Sequence, residues 1–190
     1  MPKFFQMKIE IEDKEFDLLL EYDQIEKRTR FLGIQLNVDY ETRVPVFLGV
    51  LNGSFIFMAD LMKQINISSE VSFVKVSSYN GADTSSGIVK EVIGLDLNLK
   101  NRDVIIVEDI VDTGITLSYL LDKVKEQEPA SVSVCTLLLK PNSLQKEIEE
   151  IEYVGFEIQN EFVVGYGLDY KGLGRNLTDI YRAISAPSET

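Results

Sequence analysis

The side chains best placed to do chemistry lie in residues 104–117. There the run Val104-Ile105-Ile106-Val107 is followed by Glu108 and Asp109, then Ile110-Val111, then Asp112-Thr113-Gly114-Ile115-Thr116-Leu117. The apolar run reads as a buried strand, and the hydroxyl- and glycine-bearing turn as the start of a helix. In open α/β sheets, ligands bind beyond the carboxyl ends of the strands. A turn of this composition offers free backbone N–H groups, a favourable helix dipole and the hydroxyls of Thr113 and Thr116, which together form a cradle for a monophosphate. Glu108 and Asp109 would repel that phosphate, but they suit sugar hydroxyls or a hydrated Mg²⁺, which prefers oxygen ligands. Acids and cradle together point to a ribose 5-phosphate site. The competing reading is an acidic strand end before a capped helix, since Asp112, Thr113 and Thr116 are all ordinary helix-start residues. An Asp-Thr-Gly triplet alone favours that reading. The whole pattern, placed after a hydrophobic strand, favours the ligand site.

Other segments must position these residues. Residues 7–20 alternate apolar and charged side chains (Met7, Ile9, Ile11) and read as short strands, and residues 22–40 read as an amphipathic helix with Ile25, Phe31, Leu32 and Ile34 among its apolar positions. Val46–Leu51 is a buried strand candidate, and residues 55–65 look helical from the spacing of Phe55, Met58, Leu61 and Met62. Residues 71–76 alternate like a strand, 104–107 form a second buried strand, 116–125 a helix and 132–139 a third buried strand. Strands and helices in alternation, with near-continuous apolar strands, predict a parallel sheet covered on both faces. Residues 79–88, Tyr79 to Ile88, interrupt the order with a polar, glycine-containing stretch that reads as a mobile lid or an exposed turn. No repeat, low-complexity tract or linker divides the chain, so residues 1–190 are expected to form one domain.

Composition narrows the chemistry. The 190 residues carry 31 acids against 19 bases, a net charge of −12. A nucleic-acid or anionic-membrane surface needs a basic footprint, so neither partner is expected. There is no histidine, which removes Ser-His-Asp and Cys-His catalysis and histidine metal sites. An acid–base catalyst must then be a carboxylate, Lys, Tyr or similar group. The single cysteine, Cys135, lies in an apolar run. It reads as a buried strand residue, and the absence of disulfides fits the cytoplasm. The first residues lack a signal-peptide apolar stretch, and no apolar run is long enough to cross a bilayer.

The segment Val107-Glu108-Asp109-Ile110-Val111-Asp112-Thr113-Gly114 resembles the signature of type I phosphoribosyltransferases, and its details are closest to hypoxanthine (guanine) phosphoribosyltransferases. Further motifs match in order, from about Glu21 to Ile184: Leu51-Asn52-Gly53-Ser54, Ser77-Ser78-Tyr79, Lys140, Phe162 to Tyr170, and Gly172-Leu173-Gly174-Arg175. The resemblance implies an α/β fold with a central, mostly parallel sheet flanked by helices and a small hood. The hood comes from the N-terminal strands and residues about 141–190. It also implies transfer of a phosphoribosyl group from phosphoribosyl pyrophosphate to a 6-oxopurine, with Mg²⁺, in a homodimer or homotetramer.

By that resemblance, Glu108 and Asp109 would bind the ribose hydroxyls, and Asp112, Thr113, Gly114, Ile115 and Thr116 the 5′-phosphate. Asp112 would also be the base near purine N7. Leu51, Asn52, Gly53 and Arg175 would meet the pyrophosphate. Many members carry a basic residue where this chain has Asn52, which leaves more of that contact to backbone and magnesium. Ser78 and Tyr79 would belong to a closing lid that keeps water from an oxocarbenium-like sugar. Ile110 and Phe162 would pack on the base, Lys140 would donate to its O6, and Val163 would present backbone groups to its pyrimidine edge. Asp169, with Glu108 and Asp109, would help hold the metal and would lie near the base. The glycines at 165, 167, 172 and 174 do not have the spacing or position of a dinucleotide fingerprint.

Two other functions compete on the same fold. One is a regulatory, RNA-binding homologue, which needs a basic face that a −12 chain argues against. The other is a non-catalytic nucleotide-sensing module, disfavoured by the presence of Asp112, both sugar acids and the lid segment.

Overall fold

A computed structural model of the chain describes residues 8–80 and 88–184. In chain order its elements are β1 (Lys8–Ile11), β2 (Lys14–Leu20), α1 (Tyr22–Asp39), β3 (Val46–Leu51), α2 (Phe55–Met62), β4 (Glu70–Asn80), β5 (Ile88–Ile93), β6 (Asp103–Val111), α3 (Ile115–Lys125), β7 (Ser131–Leu139), β8 (Ile151–Glu157), β9 (Val163–Val164) and β10 (Ile180–Ala183).

Side-chain alternation along the central strands builds two cores. Phe47, Ile105, Val107, Cys135 and Leu137 face one way and pack with Ile25, Leu32 and Leu36 of α1 and Phe57, Met58 and Leu61 of α2. Val46, Leu48, Val104, Ile106 and Val134 face the other way, against Leu117, Leu120, Leu121 and Val124 of α3. Both faces of a parallel strand are thus apolar, which is why these strands read as continuous hydrophobic runs. Cys135 is fully buried, and burial pushes its thiol pKa well up.

The central sheet runs β5-β4-β3-β6-β7-β8. Its five strands from β4 to β8 are parallel, and β5 pairs antiparallel with β4 at the edge. From β3 the chain moves outward to β4, whereas from β6 it moves the other way to β7. The strand order therefore reverses between β3 and β6, and a crevice opens beyond their carboxyl ends. A second, antiparallel sheet runs β1-β2-β10-β9 around Phe16, Val164 and Tyr181. The backbone N–H of Tyr22 donates to Asp179 Oδ1 at 2.7 Å, tying the start of α1 to the approach to β10.

Several boundaries differ from the sequence reading. β6 continues through Glu108 and Asp109 to Val111, because Glu108, Ile110 and Val111 keep their pairing with Thr136, Leu138 and Leu139 of β7. The two acids are therefore strand residues, not the start of a loop. β4 extends through Ser78 and Tyr79, whose backbones pair with Lys90 and Val89 of β5. Of the expected lid, residues 81–87 lie outside the described residues, as does the tail from Ala186. The helix expected to reach residue 65 stops at Met62. β8, within residues 141–190, belongs to the central sheet, so the small sheet draws on residues 8–20, 163–164 and 180–183 alone.

Candidate active site

β6 and β3 deliver their last residues into the crevice. Beyond β6, Gly114 takes φ +76, a left-handed conformation open to glycine, and caps α3. The first turn of a helix leaves its N–H groups without intrahelical acceptors. Thr113 Oγ1 accepts from the N–H of Ile115 at 3.4 Å. A cavity of about 180 Å³ sits at this turn, lined by Glu108 to Gly114, Thr116 and Leu117. A larger one, about 500 Å³, lies between α3 and the segment at Gln145 and Lys146, and shares only Thr113, Gly114 and Ile115 with the predicted cradle.

Glu108 and Asp109 are both held in unusual states. Glu108 Oε2 is buried with no hydrogen-bond partner among the described residues. Burial, and secondarily the Asp109 charge, hold the Glu108 pKa well above the ordinary carboxylate range. Burial also raises Asp109, from 3.8 to about 6. The backbone N–H groups of Asp109 and Ile110 and the charge of Arg175 oppose that rise, and Asp169 adds to it. Uncompensated buried acids of this kind cluster at functional sites.

The loop after β3 is wedged against them. The Leu51–Asn52 peptide is cis, Asn52 is exposed and Gly53 is buried. A Cβ on Gly53 would stand 1.6 Å from Asp109 Oδ2, and a Cβ on Gly167 would stand 2.0 Å from the Gly53 carbonyl oxygen. Asp109, Gly53 and Gly167 therefore form a stack with no space for a side chain between layers. Arg175 holds the outer layer: its Nη1 donates to the Gly167 carbonyl at 2.6 Å, and its own carbonyl accepts from the Gly167 N–H at 2.9 Å. Arg175 also pairs with Asp169 at 2.6 Å, while Asp169 Oδ2 accepts from the Gly172 N–H at 2.7 Å.

Lys140, at the end of β7, is buried to 6% exposure, and its ammonium donates to Asp112 Oδ2 at 2.7 Å. Val163 is buried in β9 and shares a core cluster with Leu137 and Leu138, with Ile110 packed against it. Phe162 is 44% exposed, and Tyr170 meets it edge-on at 5.7 Å.

The fold thus gathers six of the eighteen predicted residues into two groups: Asp109 against Gly53, linked through Gly167 to Arg175 and Asp169, and Asp112 with Lys140. Among the described residues, Asn52 is exposed and hydrogen-bonds to neither group. Sequence reasoning missed Gly167, which was noted only as part of a glycine series. It also missed Lys14, whose ammonium lies 5.2 Å from the Phe162 ring centre and 4.8 Å from that of Tyr170. Nothing in the alternating charges of β2 singles Lys14 out. The bond from Tyr166 Oη to Asp60 at 2.7 Å, which ties the Gly167 segment to α2, was likewise unmarked.

Among the described residues, no group of three or more His, Cys, Asp or Glu side chains could hold a metal ion. The donor set present is the acid pair, with one orphaned oxygen on Glu108. That set fits Mg²⁺, which typically takes one or two carboxylates and completes its shell with water and substrate phosphate.

Fold and site define an α/β protein with an acidic, helix-capped crevice at the switch point of a parallel sheet. A family model described as the phosphoribosyl transferase domain matches residues 17–171. The chain belongs to the phosphoribosyltransferase family, and its fold is the type I fold of that family. It is similar to the hypoxanthine-guanine phosphoribosyltransferase of Streptococcus pneumoniae, 48% identical over 84% of this chain and 88% of the relative. It also matches the bifunctional protein TilS/HprT of Listeria monocytogenes at 46% identity over 84% of this chain, and there it spans only 24% of the relative's length. Among solved structures, a hypoxanthine phosphoribosyltransferase from Staphylococcus aureus superposes with TM-score 0.81 at 41% identity, covering 88% of this chain and 91% of that one. One from Trypanosoma cruzi, complexed with the product IMP, superposes with TM-score 0.81 at 34% identity, covering 93% and 94%.

The raised pKa of Asp109 has a measurable consequence. Between its ordinary 3.8 and about 6, the folded protein holds a proton that the unfolded chain has released. Stability must therefore fall as pH rises through that window. Without divalent cation, Asp109→Asn is expected to melt at a higher temperature than the parent at about pH 8, with the gap closing as pH falls to about 4. Equal melting temperatures across that range would contradict the assignment.

Proposed function

We propose that the chain transfers the 5-phosphoribosyl group of phosphoribosyl pyrophosphate to N9 of a 6-oxopurine, hypoxanthine or guanine. The products are IMP or GMP and pyrophosphate, and the role is purine salvage. The observation that carries this reading is the Lys140–Asp112 pair at 2.7 Å. It sets a buried cation beside a carboxylate at the mouth of the phosphate cradle. The edge of a 6-oxopurine protonated at N7 offers an acceptor, O6, next to a donor, N7–H. Lys140 donates to the first and Asp112 accepts from the second. Adenine, with an amino group in place of O6, would set a donor against the lysine and leave it unpaired.

In the reaction, the N9 lone pair forms a bond to the anomeric carbon as the bond from that carbon to the pyrophosphate oxygen breaks. The N7 proton passes to Asp112. Glu108 and Asp109 hold the ribose hydroxyls, and Thr113 to Thr116 the 5′-phosphate. Leu51 to Gly53 and Arg175 hold the diphosphate. Ile110 and Phe162 flank the base, and Val163 and Asp169 border its pyrimidine edge. Most of the rate enhancement comes from this positioning and from fixed dipoles at both phosphate loops. Glu108 and Asp109 are the residues that would hold Mg²⁺, which would neutralise the leaving diphosphate; among the described residues Asp169 pairs with Arg175 and does not join them as the resemblance implied. Ser78 and Tyr79, at the far end of β4, lead into the segment proposed as the lid.

Residues 1–190 act as one domain in this reading, with the small sheet as the hood. We place the protein in the cytoplasm as a homodimer or homotetramer. No described helix is long and apolar enough to cross a membrane. The regulatory RNA-binding reading lacks support because the net charge is −12.

The direct test is pyrophosphate release with phosphoribosyl pyrophosphate and Mg²⁺, offering hypoxanthine, guanine, xanthine, adenine and uracil separately. Release with 6-oxopurines and not adenine is expected. Release with uracil alone would overturn the purine pocket, and none with any base would overturn catalysis. Asp112→Asn should lower turnover about 100-fold or more while donor affinity changes by less than about threefold. Unchanged turnover would remove Asp112 as the base.

A further inference from the structure

Helix α1 has two apolar faces. Ile25, Thr29, Leu32, Gly33 and Leu36 are buried against the core. On the opposite side, Phe31, Ile34 and Val38 are 47%, 53% and 67% exposed. At about 100° per residue these three fall within about 60° of one another and away from the buried stripe. An apolar row on the solvent side of a surface helix marks an interaction face.

The row continues in both directions with charges. Lys27, Phe31, Ile34, Val38 and Glu41 are spaced four, three, four and three residues apart, the spacing of a coiled-coil seam. Glu41 lies just past the end of α1, where its N–H donates to the Val38 carbonyl at 3.4 Å. Lys27 and Glu41 are exposed, and among the described residues neither forms an ion pair. Arg28 is engaged elsewhere: it donates to the carbonyls of Val154 and Gly155, each at 2.7 Å, and lies 5.0 Å from the Phe31 ring centre, fixing that ring at the surface.

The row is complementary to its own reverse. Turned end to end about Ile34, Lys27 meets Glu41, Ile34 meets itself, and Phe31 falls within one residue of level with Val38. A parallel arrangement would set Lys27 on Lys27 and Glu41 on Glu41. We infer that α1 packs antiparallel against α1 of a second copy, about a two-fold axis passing beside Ile34. Such an interface is isologous, so one patch serves both partners and the assembly closes. A chain of net charge −12 repels its own copies in general. Association then needs a place where opposite charges meet, and the two Lys27–Glu41 pairs supply it while the apolar centre supplies the burial.

Self-association as such belongs to the reading above; the face that mediates it does not depend on the transfer reaction. Sedimentation of the full chain tests both parts. The parent should sediment as a multiple of the single chain, and Ile34→Glu should halve that mass with an unchanged circular dichroism spectrum. Lys27→Glu and Glu41→Lys should each raise the dissociation constant about tenfold, and the double variant should restore it. Ile34→Cys, oxidised, should yield a covalent two-chain species on a non-reducing gel, since facing positions on an antiparallel helix pair come within disulfide reach. A single-chain parent would overturn self-association and this face together. An assembled parent whose mass survives Ile34→Glu, or whose Ile34→Cys variant forms no cross-link, would overturn this face alone.

Discussion

The site depends on holding two carboxylates, largely shielded from water, at the end of one strand. Glu108 and Asp109 stay in register with β7 instead of turning out to solvent. The Asp109 carboxylate fills the space that a side chain on Gly53 would need, and the Gly53 carbonyl fills the space that a side chain on Gly167 would need. A carboxylate buried without full compensation destabilises the folded chain. That burial is useful if the ligand supplies the missing partners, either hydroxyl donors or a hydrated cation.

The same constraint organises the cations. In a chain with 31 acids and 19 bases, the two basic groups proposed to meet ligand are each held by an acid. Lys140 rests on Asp112 and Arg175 on Asp169. Each pair holds a polar head at the position where an incoming base or diphosphate needs it. Arg175 in turn fixes Gly167 through two hydrogen bonds, so the segment proposed to meet the base and the loop proposed to meet the diphosphate share one backbone contact. Tyr166 and Asp60 carry that connection on to α2.

Much of this was legible before any coordinates. The runs 46–51, 104–107 and 132–139 are mostly apolar, as strands buried on both faces must be; the buried hydroxyls of Ser133 and Thr136 are satisfied by Tyr40 and by the Leu138 carbonyl. The Asp112–Thr116 turn was legible as a helix start, because glycine and hydroxyl residues suit a helix's first turn. What stayed hidden depends on contacts distant in sequence. Glu108 and Asp109 looked like a strand end, since charge ordinarily terminates a buried run, but β6 continues because its pairing with β7 persists to Val111, with Gly53 lying over Asp109. β8 went unread because Gly155 and flanking acids break its apolar pattern, although the glycine is needed where a Cβ would stand 2.4 Å from the Leu137 carbonyl oxygen. Lys140 was legible only through the family resemblance, and its burial on Asp112 is a product of the fold.

The central claim is that the donor site is built by stacking three segments and not by the β6 turn alone. The most direct measurement is calorimetric titration of phosphoribosyl pyrophosphate with Mg²⁺ into Gly167→Ala, folding being checked by circular dichroism. Gly167 donates no side chain to any ligand, yet a methyl group there must displace the Gly53 carbonyl. The account predicts donor affinity lower by about tenfold or more in a folded variant. Unchanged affinity would show that the site does not depend on the stack.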